Sequence, residues 1–496
     1  MRNWFPTQES LNETDLLRAQ RLLLLDGIYS QVMGNLTGGA FLVAFALLLG
    51  ASNAVVGILA AIGPLTQMLQ LPSIYLVETT RNRRALATVS AFIARIFWIF
   101  AAILPFVAPA PYRLPLFVLS VFLYFSIGSI TGCAFNSWIR DVIPERILGG
   151  FLAKRLAIAM AVAIVLGFLA AVGIDTSKEY FSNDTTIYSI IFLVGGIFGL
   201  IGAINLGRIP EPVMQPLPVR NPFKVLGEPF RDVNFRNLLA FLGIWNFAVN
   251  FVAPFYTVYM LDRLQLGMTL VLALSFFSQL LNVVFFRVWG RLADLYSHKS
   301  VLAVSGPMFM VSVALWPITT MPEPYTLTVP LLVLIHGLAG IATAGVAIST
   351  GGIALKAAPR GRATAYLATN SLISGAAASL APILAGLAAD GFRTQEFGVT
   401  FHWLSELNGR HEAIFCALSL RGLDFLFVIS LVFGIYSFRR LVFVREVGEV
   451  KEDIVLSEFY GELRKIVRNV STVAGLRHLT YFPYARLRER MVQKRP

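Results

Sequence analysis

The sequence predicts an all-α integral membrane protein, with twelve transmembrane helices in two pseudo-symmetric bundles of six. Three observations predict it. Of 496 residues, 56% are hydrophobic and only 14% charged, with a mean hydropathy of +0.69. A soluble protein carries roughly a quarter charged residues, so this chain cannot cover itself with polar groups in water, and lipid is its expected solvent. Apolar stretches near twenty residues recur along it, each long enough to cross ~30 Å of hydrocarbon as a helix. Short patterns from the first half also return, in order, in the second.

Residues 1–21 lack the continuous apolar core of a cleaved signal peptide and read as a cytosolic amphipathic lead-in. Spans follow at 24–48, 54–77, 85–108, 114–138, 153–173 and 187–206, making a first bundle over 22–207. A Pro-rich, charged linker covers 208–236. Six more spans, at 237–260, 267–288, 301–320, 326–351, 363–388 and 422–441, make a second bundle over 237–441. The even count places both ends of the chain on one side. Loops after even-numbered spans carry eighteen Lys and Arg (Arg81, Arg83, Arg84, Arg140 and Arg146 among them) against five in the opposite loops. The positive-inside rule then puts both termini in the cytosol, in a cell (inner) membrane crossed many times. The net charge of +13 is therefore a topology signal first, not a nucleic-acid footprint. The tail 442–496 adds, from Arg464 on, Arg464, Lys465, Arg468 and six more cations, with Leu476, Leu479 and Tyr481 interleaved. Two readings stay open for it, a lipid-headgroup anchor and a solvated tail.

The outer segment 391–421 is long for a loop between two helices. Around Asn408-Gly409, Val399, Phe401 and Trp403 alternate with Thr400, His402 and Leu404. Asn-Gly adopts the positive φ angles of a type I′ turn, and the alternation suits a strand. The sequence predicts a β-hairpin over 398–419, its aromatic side packed on helix ends or headgroups.

One polar island stands out at 290–302, GRLADLYSHKSVL. An offset of 216 lays the upstream stretch IYLVETTRNRRAL over it, with Glu78 over Asp294 and Arg83 over Lys299. Gly27-Ile28 and Gly243-Ile244 share that offset, whereas Pro144 and Pro359 stand 215 apart. Three matches in order indicate an internal six-helix repeat.

These residues resemble the major facilitator superfamily of secondary transporters. Its signature loop between the second and third helices of each half reads G-x-L-a-D-r-x-G-r-k-x-x-L; Gly290, Leu292, Ala293, Asp294, Lys299 and Leu302 match it. The N-terminal copy has Ile74 for Gly and Glu78 for Asp. The resemblance covers about residues 22–441 and implies a twelve-helix carrier whose first and seventh helices line a central cavity. It also implies a conformational latch built from Asp294 and Glu78 with Arg83, Arg140, Asp141, Lys299, Arg360 and Arg362. Two departures weigh against a drug–proton antiporter. The fourth span has Tyr124 four before Gly128 in place of a buried Arg, and the fifth lacks G-x-x-x-G-P.

Polar side chains at membrane depth are costly and invite a role. Gln31 and Asn35 on the first span, and Asn246 and Asn250 on the seventh, each lie four apart on one helix face. They suit either hydrogen bonding to a polar solute or helix–helix adhesion. Arg95 in the third span and His336 in the tenth are further candidates, with Gln67, Gln279 and Asn282 behind them. No carboxylate is placed at mid-membrane to carry a coupling ion. There is no phosphate-binding glycine loop and no nucleophile–base pairing, so neither an enzyme nor a cofactor is expected. The partners expected are a small-molecule substrate and membrane lipids, with no nucleic acid, and the molecule is expected to be a monomer. The function expected is alternating-access transport of a small organic solute. The alternatives are a non-transporting assembly factor of the same fold and a lipid flippase.

Overall fold

The structure is a computed structural model that describes residues 6–9, 12–177, 184–214, 227–320, 326–359, 363–405, 411–446, 448–450 and 452–470. Among these, eleven helical runs are long and apolar enough to cross a membrane. A bent pair, Asn53–Gln67 with Pro72–Thr80 at 47°, makes twelve. The spans alternate in direction, so the first begins and the twelfth ends at the same end of the bundle. We call this the terminal end and its opposite the far end.

The helices start and stop where their chemistry dictates. The first begins at Glu13, inside the expected lead-in, because Asn12 and Asp15 form a capping box there. It breaks at Gly38, Gly39 takes φ +51°, and the span resumes over Gly39–Leu48. The seventh breaks in the same way, running over Val233–Val252, turning at Pro254 and ending in a π-turn at Tyr259–Arg263. Asn82 caps the third span (Arg83–Val107) and Ser297 caps the ninth (His298–Ala314). Every one of these pairs is 215 apart: Gly38 with Ala253, Asn82 with Ser297, and the ends of the second and eighth spans at Thr80 and Leu295. The structural repeat therefore has an offset of 215. The loop match at 216 is one position out of register, so Glu78 occupies the place of Ala293 rather than of Asp294. At 215, Gln31 corresponds to Asn246 and Asn35 to Asn250.

Each half has its own aromatic core. Phe45, Phe117, Phe192 and Trp98 pack together in the first half. Tyr256, Trp316 and Phe427 stack in the second. The predicted hairpin is present as β1 (Glu396–Ser405) and β2 (His411–Arg421), antiparallel from Glu396–Arg421 to Ser405–His411. A bulge follows Val399, and the Asn408-Gly409 turn lies outside the described residues. The hairpin is rooted by Asp424, which is fully buried. That carboxylate accepts from the Arg421 N–H at 2.9 Å, the Tyr259 hydroxyl at 3.0 Å and the Arg263 guanidinium at 2.9 Å. Phe397 is 52% and Phe401 63% exposed, so neither is packed on helix ends, and the Trp403 side chain lies outside the described residues. The two strands pair their backbone groups with each other, and at the root of the ribbon Ser419 and Leu420 are buried along with Asp424.

The first part of the tail is ordered as a helix. Glu452–Val470 forms an amphipathic helix docked on the second half, with Phe459 stacked on Trp289 at 4.5 Å and Val455 buried beside it. Glu462 of the same helix pairs with Arg291 at 3.1 Å. The segment 471–496, which carries the interleaved Leu476, Leu479 and Tyr481, lies outside the described residues.

Candidate functional site

A cavity of about 340 Å³ lies between the halves, bounded by the first and fifth spans on one side and the seventh and eighth on the other. The break in the first span borders it through Gly38 and Gly39. A broken helix at the repeat interface is where carrier folds place their solute site. The polar groups at its wall are Gln31, Asn35, Thr257, Ser275 and Gln279.

These groups are not equally available. Asn35 donates to the Ala163 carbonyl at 2.6 Å and so ties the first span to the fifth. Ser275 turns back on Val271 at 2.9 Å. The Gln31 and Gln279 amides have no hydrogen bond to any described residue, and they come from opposite halves. Sequence reasoning set Gln279 behind the amide pairs. Its neighbour Asn282 bonds Thr343 at 2.9 Å, away from the cavity wall.

The other amide pair is not brought to this wall. Asn246 donates to Leu242 at 2.8 Å and Ser374 at 3.3 Å, and Asn250 to the Asn246 carbonyl at 2.8 Å. Arg95 also lies elsewhere. It donates to Gly199 at 2.6 Å and Ser30 at 2.8 Å, and stands 3.6 Å from the buried Asp26, which Arg155 meets at 3.0 Å. That arrangement clamps the first, third, fifth and sixth spans together. His336 is buried against Trp316 with Nδ1 2.8 Å from the Leu332 carbonyl.

The far end is shut by two carboxylates that the sequence reading passed over. Asp175, near the end of the fifth span, accepts from the N–H groups of Met268 at 3.0 Å and Thr269 at 2.7 Å, the first residues of the eighth span. Asp390, near the end of the eleventh, accepts from Asn53 at 3.0 Å and Ala54 at 2.9 Å, which open the second. Each bond crosses from one half to the other, and the two sets stand 215 apart at every position. An acid is unfavourable at the C-terminus of its own helix; here it offsets that cost at the N-terminus of the facing one. Glycine makes the approach possible. A side chain at Gly386 would strike the Asn53 carbonyl, and one at Gly57 the Pro382 carbonyl.

At the terminal end no ion pair crosses between halves among the described residues. Arg83 is buried and meets Asp141 at 2.5 Å and Glu211 at 3.4 Å, all within the first half. Lys299 meets Glu449 at 2.8 Å within the second. Asp294 and Arg140 are exposed, Glu78 is half-buried, and Arg360 and Arg362 lie outside the described residues. Two further carboxylates brace this end. Glu211 accepts from the N–H groups of Arg83 at 2.6 Å and Arg84 at 3.1 Å; Glu446 accepts from those of His298 at 3.2 Å and Lys299 at 2.7 Å. Burial pushes the Glu211 carboxyl above the usual carboxylate range, against the opposing pull of these N–H groups and the Arg83 guanidinium.

The family model described as Major Facilitator Superfamily matches residues 27–382. No curated protein matches the chain in sequence. Among solved structures, a mutant of the nucleoside transporter NupG is similar at 12% identity, covering 86% of this chain and 100% of that one with a TM-score of 0.66. A bacterial homologue of the iron transporter ferroportin, in an inward-facing state, is similar at 14% identity (87% and 99% covered, TM-score 0.60). A D-xylose-proton symporter is similar at 15% identity (88% and 98% covered, TM-score 0.58). With twelve spans, a repeat of six and a cavity between the halves, the chain belongs to the Major Facilitator Superfamily and is a secondary transporter, not an enzyme.

Proposed function

We propose that this carrier moves a small, uncharged, hydrogen-bonding organic solute by rocking its two halves about the cavity between them. The observation that carries the reading is the pair of unpartnered amides, Gln31 and Gln279, facing one cavity from opposite halves. A primary amide offers two donors and an acceptor, and two of them suit hydroxyls or ring nitrogens. No ionised side chain is among the cavity's described lining, which disfavours a charged solute. The volume of about 340 Å³ is at the small end of ligand pockets, roughly 300–1,000 Å³. It fits a monosaccharide or a nucleoside, the solute classes named for two of the similar structures. The basic loops support cytosolic termini. The state described is then closed outside, and among the described residues neither Asp294 nor Glu78 makes an ion pair across the halves.

The test replaces each amide by a residue of similar volume. Gln31→Leu and Gln279→Leu should abolish stabilisation of the purified carrier by its sugar or nucleoside ligand while leaving the unliganded Tm within about 2 °C of wild type. Asn35→Leu should instead lower that Tm, since its amide bonds a neighbouring helix. Equal ligand stabilisation in wild type and both Gln variants would remove these amides from the site.

A further inference from the structure

A second and larger cavity, about 1180 Å³, opens at the terminal end between the first and fifth spans. Its walls carry six cations: Arg18 and Arg21 from the first span, Arg146, Lys154 and Arg155 from the fifth, and Arg208 after the sixth. No carboxylate is among the described residues that line it. Arg155 is held in place by the Leu23 carbonyl at 2.8 Å and Asp26 at 3.0 Å. The other five are exposed and have no ion-pair partner among the described residues. Basic loops at one membrane face are ordinary, and topology alone would scatter them around the rim. Here three separate segments turn their charges into one concavity, where like charges repel unless an anion is present. Leu22 and Phe151 share the wall, so the cavity offers apolar surface beside its charge.

We infer that this pocket binds a phosphate ester, its phosphate held by the guanidinium groups of Arg18, Arg21 and Arg146 with Lys154, and its organic part resting on Leu22 and Phe151. Arginine suits phosphate because its planar fork donates two parallel hydrogen bonds. The ester can come from an anionic lipid headgroup or from a soluble metabolite, and the chemistry recognised is the same. The inference concerns binding at the terminal end and does not depend on transport through the central cavity.

The test uses the full chain in a neutral detergent and three probes measured by calorimetry: dioctanoyl phosphatidic acid, glycerol 3-phosphate and zwitterionic dioctanoyl phosphatidylcholine. Saturable binding of phosphatidic acid is expected. It should weaken about tenfold or more in the triple variant Arg18→Gln, Arg146→Gln, Lys154→Gln, three exposed positions whose loss breaks no ion pair among the described residues. If that variant does not yield folded protein, salt decides on wild type. Affinity should fall roughly threefold or more between about 0.1 and 0.4 M salt, as contacts to an anion require. Glycerol 3-phosphate binding with the same dependence assigns the pocket to soluble esters as well; binding of the lipid alone assigns it to headgroups. The inference is overturned if neither phosphate probe saturates, if phosphatidylcholine binds as tightly as phosphatidic acid, or if affinity ignores both the substitutions and the salt.

Discussion

Asp175 and Asp390 are small parts with a large lever. Each caps the first two N–H groups of a helix in the opposite half, and a cap of this kind contributes about 1 kcal/mol. If both junctions open together in the transport cycle, Asp175→Ala or Asp390→Ala should shift the balance of states roughly fivefold toward the one open at the far end. The double variant should shift it by about the product, since the two sites are separate. Thiol labelling of a cysteine placed at Gln279, applied from the far side, reads that population; rates equal to wild type would show that the caps do not hold the gate. Glu211 gives a pH-dependent counterpart. Its carboxyl is raised in the folded protein, so the unfolded chain releases this proton first and the group's contribution to stability falls as pH rises above the ordinary carboxylate range. Glu211→Gln keeps the neutral form throughout. Its Tm deficit against wild type should therefore narrow between about pH 4 and pH 7, and a deficit that widens would reverse the assignment.

Helices in this molecule meet across the halves through glycine, and larger residues there act as wedges. Gly386→Leu would drive a side chain into the Asn53 backbone, where overpacking typically costs about 1–3 kcal/mol. The second and eleventh spans should then fail to close, leaving far-side labelling high whatever the ligand, while each half keeps its own core. A different element explains part of the tail. Phe459 on the helix Glu452–Val470 stacks on Trp289, and Phe459→Ala should destabilise the second half by about 3 kcal/mol. Limited proteolysis near residue 450 checks this: faster release of the tail is expected, and an unchanged rate would mean the helix is not anchored there. The amphipathic pattern of that helix was legible in the sequence. Its docking partner was not, because Trp289 lies on the eighth span, far away in the chain.

The whole molecule is two copies of one plan meeting at symmetry-related junctions. At an offset of 215 the repeat maps kink onto kink, helix cap onto helix cap and gate carboxylate onto gate carboxylate. Rocking requires both junctions to part together. Joining Asn53→Cys to Asp390→Cys with a short thiosulfonate cross-linker should therefore hold the far end shut. A cysteine at Gln279 would then be labelled from the terminal side only, and reductant should restore two-sided labelling. Two-sided labelling in the cross-linked protein would show that the halves do not rock about this junction.

Span number, the six-helix repeat, the family and the hairpin were written in the sequence because each rests on local chemistry: apolar runs of bilayer length, Asn-Gly flanked by alternation, and a polar loop that recurs. The true repeat offset was nearly visible, since the amide pairs and Pro144 with Pro359 stood at 215 while the louder loop match stood at 216. Only the tertiary structure decided which polar groups matter for which task. Gln31, Asn35, Asn246 and Asn250 look alike in sequence, yet one faces a cavity unpartnered, one bonds a neighbouring helix, and two bond back on their own span or a neighbour. Asp175 and Asp390 read as ordinary acids at helix ends until the opposing N-termini come into view. A side chain's partner across a bundle depends on how helices far apart in the chain pack, and local pattern carries no record of that.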